Sequence, residues 1–216
     1  MRLGTPVALL EIPRLGLREV VREGTTGGVL AQGPGHRRDS PMPGQAGTSV
    51  PLGRQAGFGG PFGVLGNLRG GETFTVTTGQ GTRTYRALGL RRAGDPVPPA
   101  PADGAGRIAL VTGSGPRYAP SGVLLVDADL ITDVVPANAR PLTPGALPAA
   151  EQAMGTEDAA WIPLVLSGEG LLLGADALAM AWSRWGRQAW IVGVPVLTAL
   201  ALAVADQVAR LLPNLV

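Results

Sequence analysis

Cysteine and lysine are absent from the 216 residues, histidine occurs once, as His36, and aromatic residues make up only 4%. Each scarcity excludes chemistry. Without Cys there is no disulfide framework, thiol nucleophile, thiolate metal site or iron–sulfur cluster. One His cannot build a multi-His metal site and leaves little for a Ser–His–Asp relay. Without Lys, Schiff bases, Walker-type phosphate loops and lysine general bases fall away. No cofactor and no metal are expected. What is abundant is Gly, 33 residues, and Pro, 20 residues. Together with few aromatics they indicate a turn-rich, mainly β domain and argue against a long helical bundle.

Charge and texture divide the chain. Residues 1–150 hold 15 Arg against 10 acidic residues, whereas residues 151–216 hold 3 Arg against 6. The first part is punctuated by Gly and Pro between short apolar runs; the second is almost continuous Ala, Leu and Val. The expected organisation is a β domain over 1–140, a Pro/Gly/Ala-rich linker over 141–157 and a helical hairpin over 158–216. Strands are expected at Val7–Ile12, Thr73–Thr78, Thr82–Leu88, Ile108–Thr112 and Val123–Val126, the middle pair joined as a β-hairpin through Gly79-Gln80-Gly81. Asp95 to Pro101 reads as a long surface loop. Such spacing suits a closed barrel or a sandwich.

Trp161–Trp182 and Ala189–Arg210 are apolar stretches of 22 residues each, and about 20 helical residues cross a hydrocarbon core. Arg184 and Arg187 in the connecting loop, with Trp residues beside it, place that loop in the cytoplasm by the positive-inside rule. The β domain then lies outside the cell membrane, with lipid around the hairpin. Glu169 and Asp176 interrupt the first stretch seven residues apart, on one helical face, where they would pack against the partner helix. A soluble hairpin buried against the barrel is the alternative. Met1–Pro6 shows neither leader nor anchor, so a start upstream of Met1 is expected.

The Gly-rich stretches Gly57-Phe58-Gly59-Gly60 and Gly79-Gln80-Gly81 open no helix after a strand, and so are turns and not dinucleotide loops. Scattered Arg residues and an outside location argue against nucleic acid.

Seven short blocks, in order, carry a family resemblance: Leu10 to Leu17 (LEIPRLGL), Val21 to Thr25 (VREGT), Gly33 to His36 (GPGH), Pro43 to Thr48 (PGQAGT), Gly59 to Phe62 (GGPF), Leu68 to Glu72 (LRGGE) and Leu110 to Thr112 (LVT). Residues 7–130 resemble the sortases, surface transpeptidases of Gram-positive bacteria, and most closely the actinobacterial class E-like members. The resemblance implies an eight-stranded β-barrel in which a Cys attacks a sorting-signal peptide, a His manages the proton and an Arg steadies the oxyanion. Carried onto this sequence, the Cys position is Gly113, after Ile108-Ala109-Leu110-Val111-Thr112. The His position is Arg54, in Pro51-Leu52-Gly53-Arg54-Gln55. The Arg position is Ser121 or Gly122. His36 belongs to an upstream loop and takes a structural role.

Three functions follow from that pattern. In the first, a sortase-like protein without transpeptidase residues binds an extracellular peptide or surface protein in a cleft lined by Arg54, Gly113 and Arg117. The missing Cys side chain leaves room, and the Arg54 guanidinium offers a fork for a carboxylate. In the second, Ser114 serves as a substitute nucleophile for acyl transfer or hydrolysis on wall-linked substrates, although Arg54 cannot be its base. Arg117 would then contact an oxyanion, or else simply cap its loop. In the third, the protein is a structural membrane subunit whose helices do the work.

Overall fold

The computed structural model describes residues 1–136, 142–143, 145–156 and 161–216, with residues 183, 187 and 210 described by backbone alone. Residues 141, 144 and 157 of the expected linker, and 158–160 of the expected hairpin region, lie outside the described residues. The strands are β1 (Pro6–Ile12), β2 (Leu17–Glu23), β3 (Gly35–His36), β4 (Gly47–Ser49), β5 (Pro51–Leu52), β6 (Thr73–Thr78), β7 (Gly81–Arg92), β8 (Gly106–Ser114) and β9 (Gly122–Leu130). They form one sheet in the order β4-β8-β5-β3-β2-β1-β6-β7-β9, and a β8–β9 pairing closes it. Because β4 and β5 both run parallel along the same flank of β8, they act as one interrupted strand. The result is an eight-stranded barrel.

Local sequence explains the longer strands. In β6 the buried Phe74 and Val76 alternate with outward Thr residues, the period a half-buried strand requires. Thr78 pairs with Gly81 across a two-residue loop, and Gly81 supplies the positive φ of 106° that a side chain would resist. The expected hairpin is therefore present, as are strands over all five expected runs. A one-turn helix, α1 (Gly27–Leu30), follows β2 and is capped by the Thr26 hydroxyl.

Leu10, Ile12, Phe62, Phe74, Val76, Tyr85, Ile108, Leu110, Val126 and Ala128 fill the barrel interior. Tyr85 stacks on Phe74 with centroids 5.7 Å apart, and its hydroxyl accepts the Gly44 N–H at 2.6 Å. Burial pushes the Tyr85 phenol up to about 12, against the opposite pulls of the Gly44 N–H and of Arg83. The neutral form is thus the folded form. Between the ordinary Tyr value of about 10 and this raised one, the unfolded chain binds fewer protons, so stability falls as pH rises. The loss is expected at about 1.4 kcal/mol per pH unit in that window. Denaturant midpoints of the native chain and Tyr85→Phe, measured from pH 9 to 12, should diverge only there; parallel curves would refute the assignment.

β8 is buried along nearly its whole length because it has two faces to cover. Ile108 and Leu110 point into the barrel, while the alternate positions Ala109, Val111 and Gly113 point outward. There Val111 joins Leu30, Leu52 and Leu215 in a second, smaller apolar cluster, with Val123 and Leu125 of β9 at its edge.

Contacts divide the chain into Met1–Gly155 together with Pro213–Val216, and Thr156–Leu212. Both boundaries differ from a plain linker followed by a hairpin ending at 216. Glu151 is almost fully buried, and its carboxylate is paired with Arg38, Nε reaching its oxygens at 3.0 and 3.1 Å. Asn214, Leu215 and Val216 are buried as part of the barrel unit.

The second unit consists of α2 (Trp161–Trp185) and α3 (Ala189–Leu211), joined by a 3-10 turn at Gly186–Gln188. Both helices are long and apolar enough to cross a membrane, over Trp161–Trp182 and Ala189–Ala209. Small residues set their approach: a Cβ at Gly193 would fall 2.4 Å from Leu178, and one at Gly174 3.1 Å from Leu200. Trp182 and Trp190 meet edge to face at 5.9 Å. Glu169 and Asp176 are exposed and do not pack into this contact. The interhelical stripe runs through Gly170, Gly174 and Leu178, four residues apart, and neither carboxylate shares that face.

Candidate functional site

The site lies at one end of the barrel, where β5 and β8 run out together. The Gly53 N–H donates to the Val111 carbonyl at 2.9 Å, fixing the residues after β5 beside the end of β8. That bond carries Arg54 and Gln55 toward Gly113 and Ser114. The antiparallel register of β8 and β9 sets Gly113 opposite Val123 and Ser114 opposite Gly122, and the Ser121 N–H returns to the Ser114 carbonyl at 2.9 Å. Four of the sequence-derived positions are therefore neighbours: Arg54, Gly113, Ser114 and Ser121. Arg117 is the exception, exposed on the Gly115–Pro120 turn.

Arg54 is only 1% exposed. Its Nη2 donates to the Gly27 carbonyl of α1 at 3.2 Å, its Nη1 to the backbone oxygen of Val216 at 3.4 Å, and Phe58 lies under its guanidinium at 4.8 Å. Phe58 takes a φ of 51°, the only positive φ at a non-glycine among the described residues, which turns its ring beneath the cation. The guanidinium thus contacts main-chain oxygens of Gly27 and Val216.

The room expected above Gly113 is also taken. A Cβ there would lie 2.9 Å from Gln55 Oε1, 3.0 Å from the Leu215 carbonyl oxygen and 3.2 Å from Pro120. Gln55 donates its backbone N–H to that same Leu215 oxygen at 2.9 Å and its Nε2 to the Gly115 carbonyl at 3.2 Å. Gln55 Oε1 is buried and has no hydrogen-bond partner among the described residues. Leu215 itself fills the pocket of Leu30, Leu52 and Val111. Alongside, a cavity of about 490 Å³ runs over Val50, Ala109, Val123 and Leu125 to Arg37 and Arg107 at its rim.

Among the described residues no base is hydrogen-bonded to the Ser114 hydroxyl. His36 is buried in strand β3, not in a loop, and its Nδ1 faces Glu23 at 3.4 Å while Nε2 faces the Pro41 carbonyl at 2.9 Å. Among the described residues no group of three or more His, Cys, Asp or Glu is placed to hold a metal ion. Gln55 and Phe58 stand in segments that the sequence marks without giving either side chain a role, and the 214–216 segment has no role from sequence. The signal for the last is faint: a Pro that stops α3, then Asn214 and two apolar residues.

Sequence and structure comparisons agree on the relatives of this arrangement. The sequence model of the sortase domain matches residues 10–118. No curated protein matches. Among solved structures, a sortase E variant from Streptomyces avermitilis is 30% identical, with a TM-score of 0.52 over 61% of this chain and 91% of that one. The Sortase D5 transpeptidase of Clostridium perfringens is 24% identical, with a TM-score of 0.52 over 61% of this chain and 82% of that one. Sortase A from Corynebacterium diphtheriae is 23% identical, with a TM-score of 0.53 over 59% and 61%.

Proposed function

Because the chain belongs to the sortase family, we propose that it is a membrane-anchored surface protein whose barrel binds an extended peptide or a surface protein without cleaving it. The reading rests on Gly113. In the family pattern that position carries the thiol that attacks the peptide, and a glycine has no atom with which to attack. The other two roles are vacant for equally chemical reasons. Arg54 stays protonated and is held by backbone oxygens, so it moves no proton. Ser121 carries no charge to steady an oxyanion.

Ser114 does not replace the thiol. A Ser hydroxyl needs a general base within hydrogen-bond reach, and the sole imidazole is committed to Glu23 and Pro41. What remains at the site suits binding. The Gln55 N–H already binds a main-chain carbonyl, that of Leu215 at 2.9 Å, beside the Leu30, Leu52 and Val111 pocket, which is the kind of contact a peptide backbone makes.

Two apolar helices supply the anchor, and Arg184 with its flanking Trp residues favours a cytoplasmic turn and an outside barrel. The 30% identity with a Streptomyces sortase E supports an actinobacterial, Gram-positive setting.

Incubation of the detergent-solubilised chain with sorting-signal peptides is expected to give neither cleavage nor a covalent adduct in intact-mass spectra. Ser114→Ala should leave that result unchanged. An acyl adduct on Ser114 would replace the binding role with an enzymatic one.

A further inference from the structure

Resting on that peptide-binding reading, we propose that the cleft has a resident ligand in cis: residues 213–216 occupy it as a turn, closed by the Val216 N–H on the Pro213 carbonyl at 3.0 Å, and an outside peptide binds by displacing them. The fit is specific. The Leu215 side chain is fully buried in the pocket of Leu30, Leu52 and Val111. Its carbonyl accepts the Gln55 N–H at 2.9 Å, and the backbone oxygen of Val216 accepts from Arg54 at 3.4 Å. Asn214 is the anchor. Its N–H donates to the Gly155 carbonyl at 3.0 Å, and its Nδ2 donates to the Ala150 and Gln152 carbonyls, both at 2.8 Å.

The glycines of the site are matched to this occupant. A Cβ at Gly57 would fall 2.9 Å from the Val216 oxygen, and one at Gly113 3.0 Å from the Leu215 oxygen. A side chain at either position would press on the backbone of the segment. The glycine that removes the nucleophile is therefore the same one that lets the chain lie across its position. The ligand class follows: a turn-forming segment with a side-chain amide, then Leu, then a β-branched residue, held by the donors of its amide residue and by the main-chain oxygens of the two residues after it.

Tethering makes the segment a strong competitor. A linked ligand sits at millimolar effective concentration, so a free peptide of equal intrinsic affinity meets a mostly closed site. Two substitutions release the segment without altering the cleft walls. Asn214→Asp sets a carboxylate against two carbonyl oxygens, and Leu215→Asp sets one against an apolar pocket.

The test uses the full chain in detergent micelles and a labelled synthetic peptide of sequence LLPNLV. In the native chain the Gln55 amide should exchange slowly, and the peptide should bind weakly. In both variants the Gln55 amide should exchange at least about tenfold faster while the amides of Val76 and Leu110 stay protected. The peptide should then bind at least about tenfold tighter and restore protection at Gln55. Equal exchange at Gln55, or measurable peptide binding of equal strength, in native and variant chains would overturn the cis ligand and leave peptide binding standing. A released segment with no peptide bound by any chain would overturn the peptide-binding reading itself. Loss of protection at Val76 and Leu110 in both variants would also overturn the proposal, because a displaceable ligand must leave a standing barrel behind.

Discussion

A chain in which a short Gly/Ser link replaces residues 156–212 is expected to leave the membrane fraction and stay folded as a barrel. The reason is where the chain departs and returns. Gly155 and Asn214 are joined by a hydrogen bond of 3.0 Å, so a few residues suffice to bridge the cut. Everything removed belongs to the separate helical unit, whose apolar side chains are largely exposed. The informative comparison is with a chain ending at Gly155. That version loses Leu215 from the outer cluster and leaves Leu30, Leu52 and Val111 facing an empty pocket. Emptying a site of Leu size costs about 2–5 kcal/mol. For a barrel of this length that is a melting point lower by roughly 5–15 °C than that of the linked form. Fractionation and thermal melts check both halves. A linked barrel that still pelleted with membranes would remove the anchoring role of the helices. Equal melting points would mean that Leu215 contributes nothing.

The parts of the barrel legible in the sequence are those whose signal is local. Thr73–Thr78 alternates, Gly79-Gln80 turns, and Ile108–Thr112 is a continuous apolar run; each appears as a strand or turn where its residues alone require it. β3 and β5 are two residues long and exist only through partners distant in sequence, so no periodicity marks them. His36 is one such case: it reads as a loop residue and is a buried strand residue whose ring nitrogens face Glu23 and the Pro41 carbonyl. The candidate site divides the same way. Arg54 and Gly113 were placed by matching short blocks, and the fold does bring them together. Their contacts were hidden, because Gly27 and the 214–216 segment reach them through the tertiary fold. A Leu-Val pair after a helix-stopping Pro carries no sign that a pocket lined by Leu52 and Val111 awaits it. Glu169 and Asp176 mislead for a geometric reason. A seven-residue spacing puts them near one helical face, but Gly170 and Gly174 set a different face against α3.

Arg38→Leu is expected to be the most damaging single substitution on the barrel surface. The Glu151 carboxylate is only 2% exposed, and Arg38 contacts both of its oxygens. Hydrogen bonding to Glu151 raises the Arg38 value above its ordinary one, against the opposing effect of burial, and the Glu151 and Glu23 charges raise it further. The cation therefore serves two acids. Removing it leaves a buried carboxylate with nothing to balance it, at a cost of about 3–5 kcal/mol. Replacing both partners, Arg38→Leu with Glu151→Met, removes the charge along with its counter-charge and should recover most of the loss. Denaturant unfolding of the native chain, the two single variants and the double variant completes the cycle. A double variant no more stable than Arg38→Leu would show that the pair serves packing and not charge balance. The consequence reaches the cleft. Glu151 also accepts the Thr25 hydroxyl on its backbone oxygen, and the carbonyls on either side of it, Ala150 and Gln152, hold the Asn214 amide. One ion pair thus fixes the short segment that fixes the cleft's occupant. Arg38→Leu should accordingly speed exchange at the Gln55 amide before the barrel strands themselves begin to open.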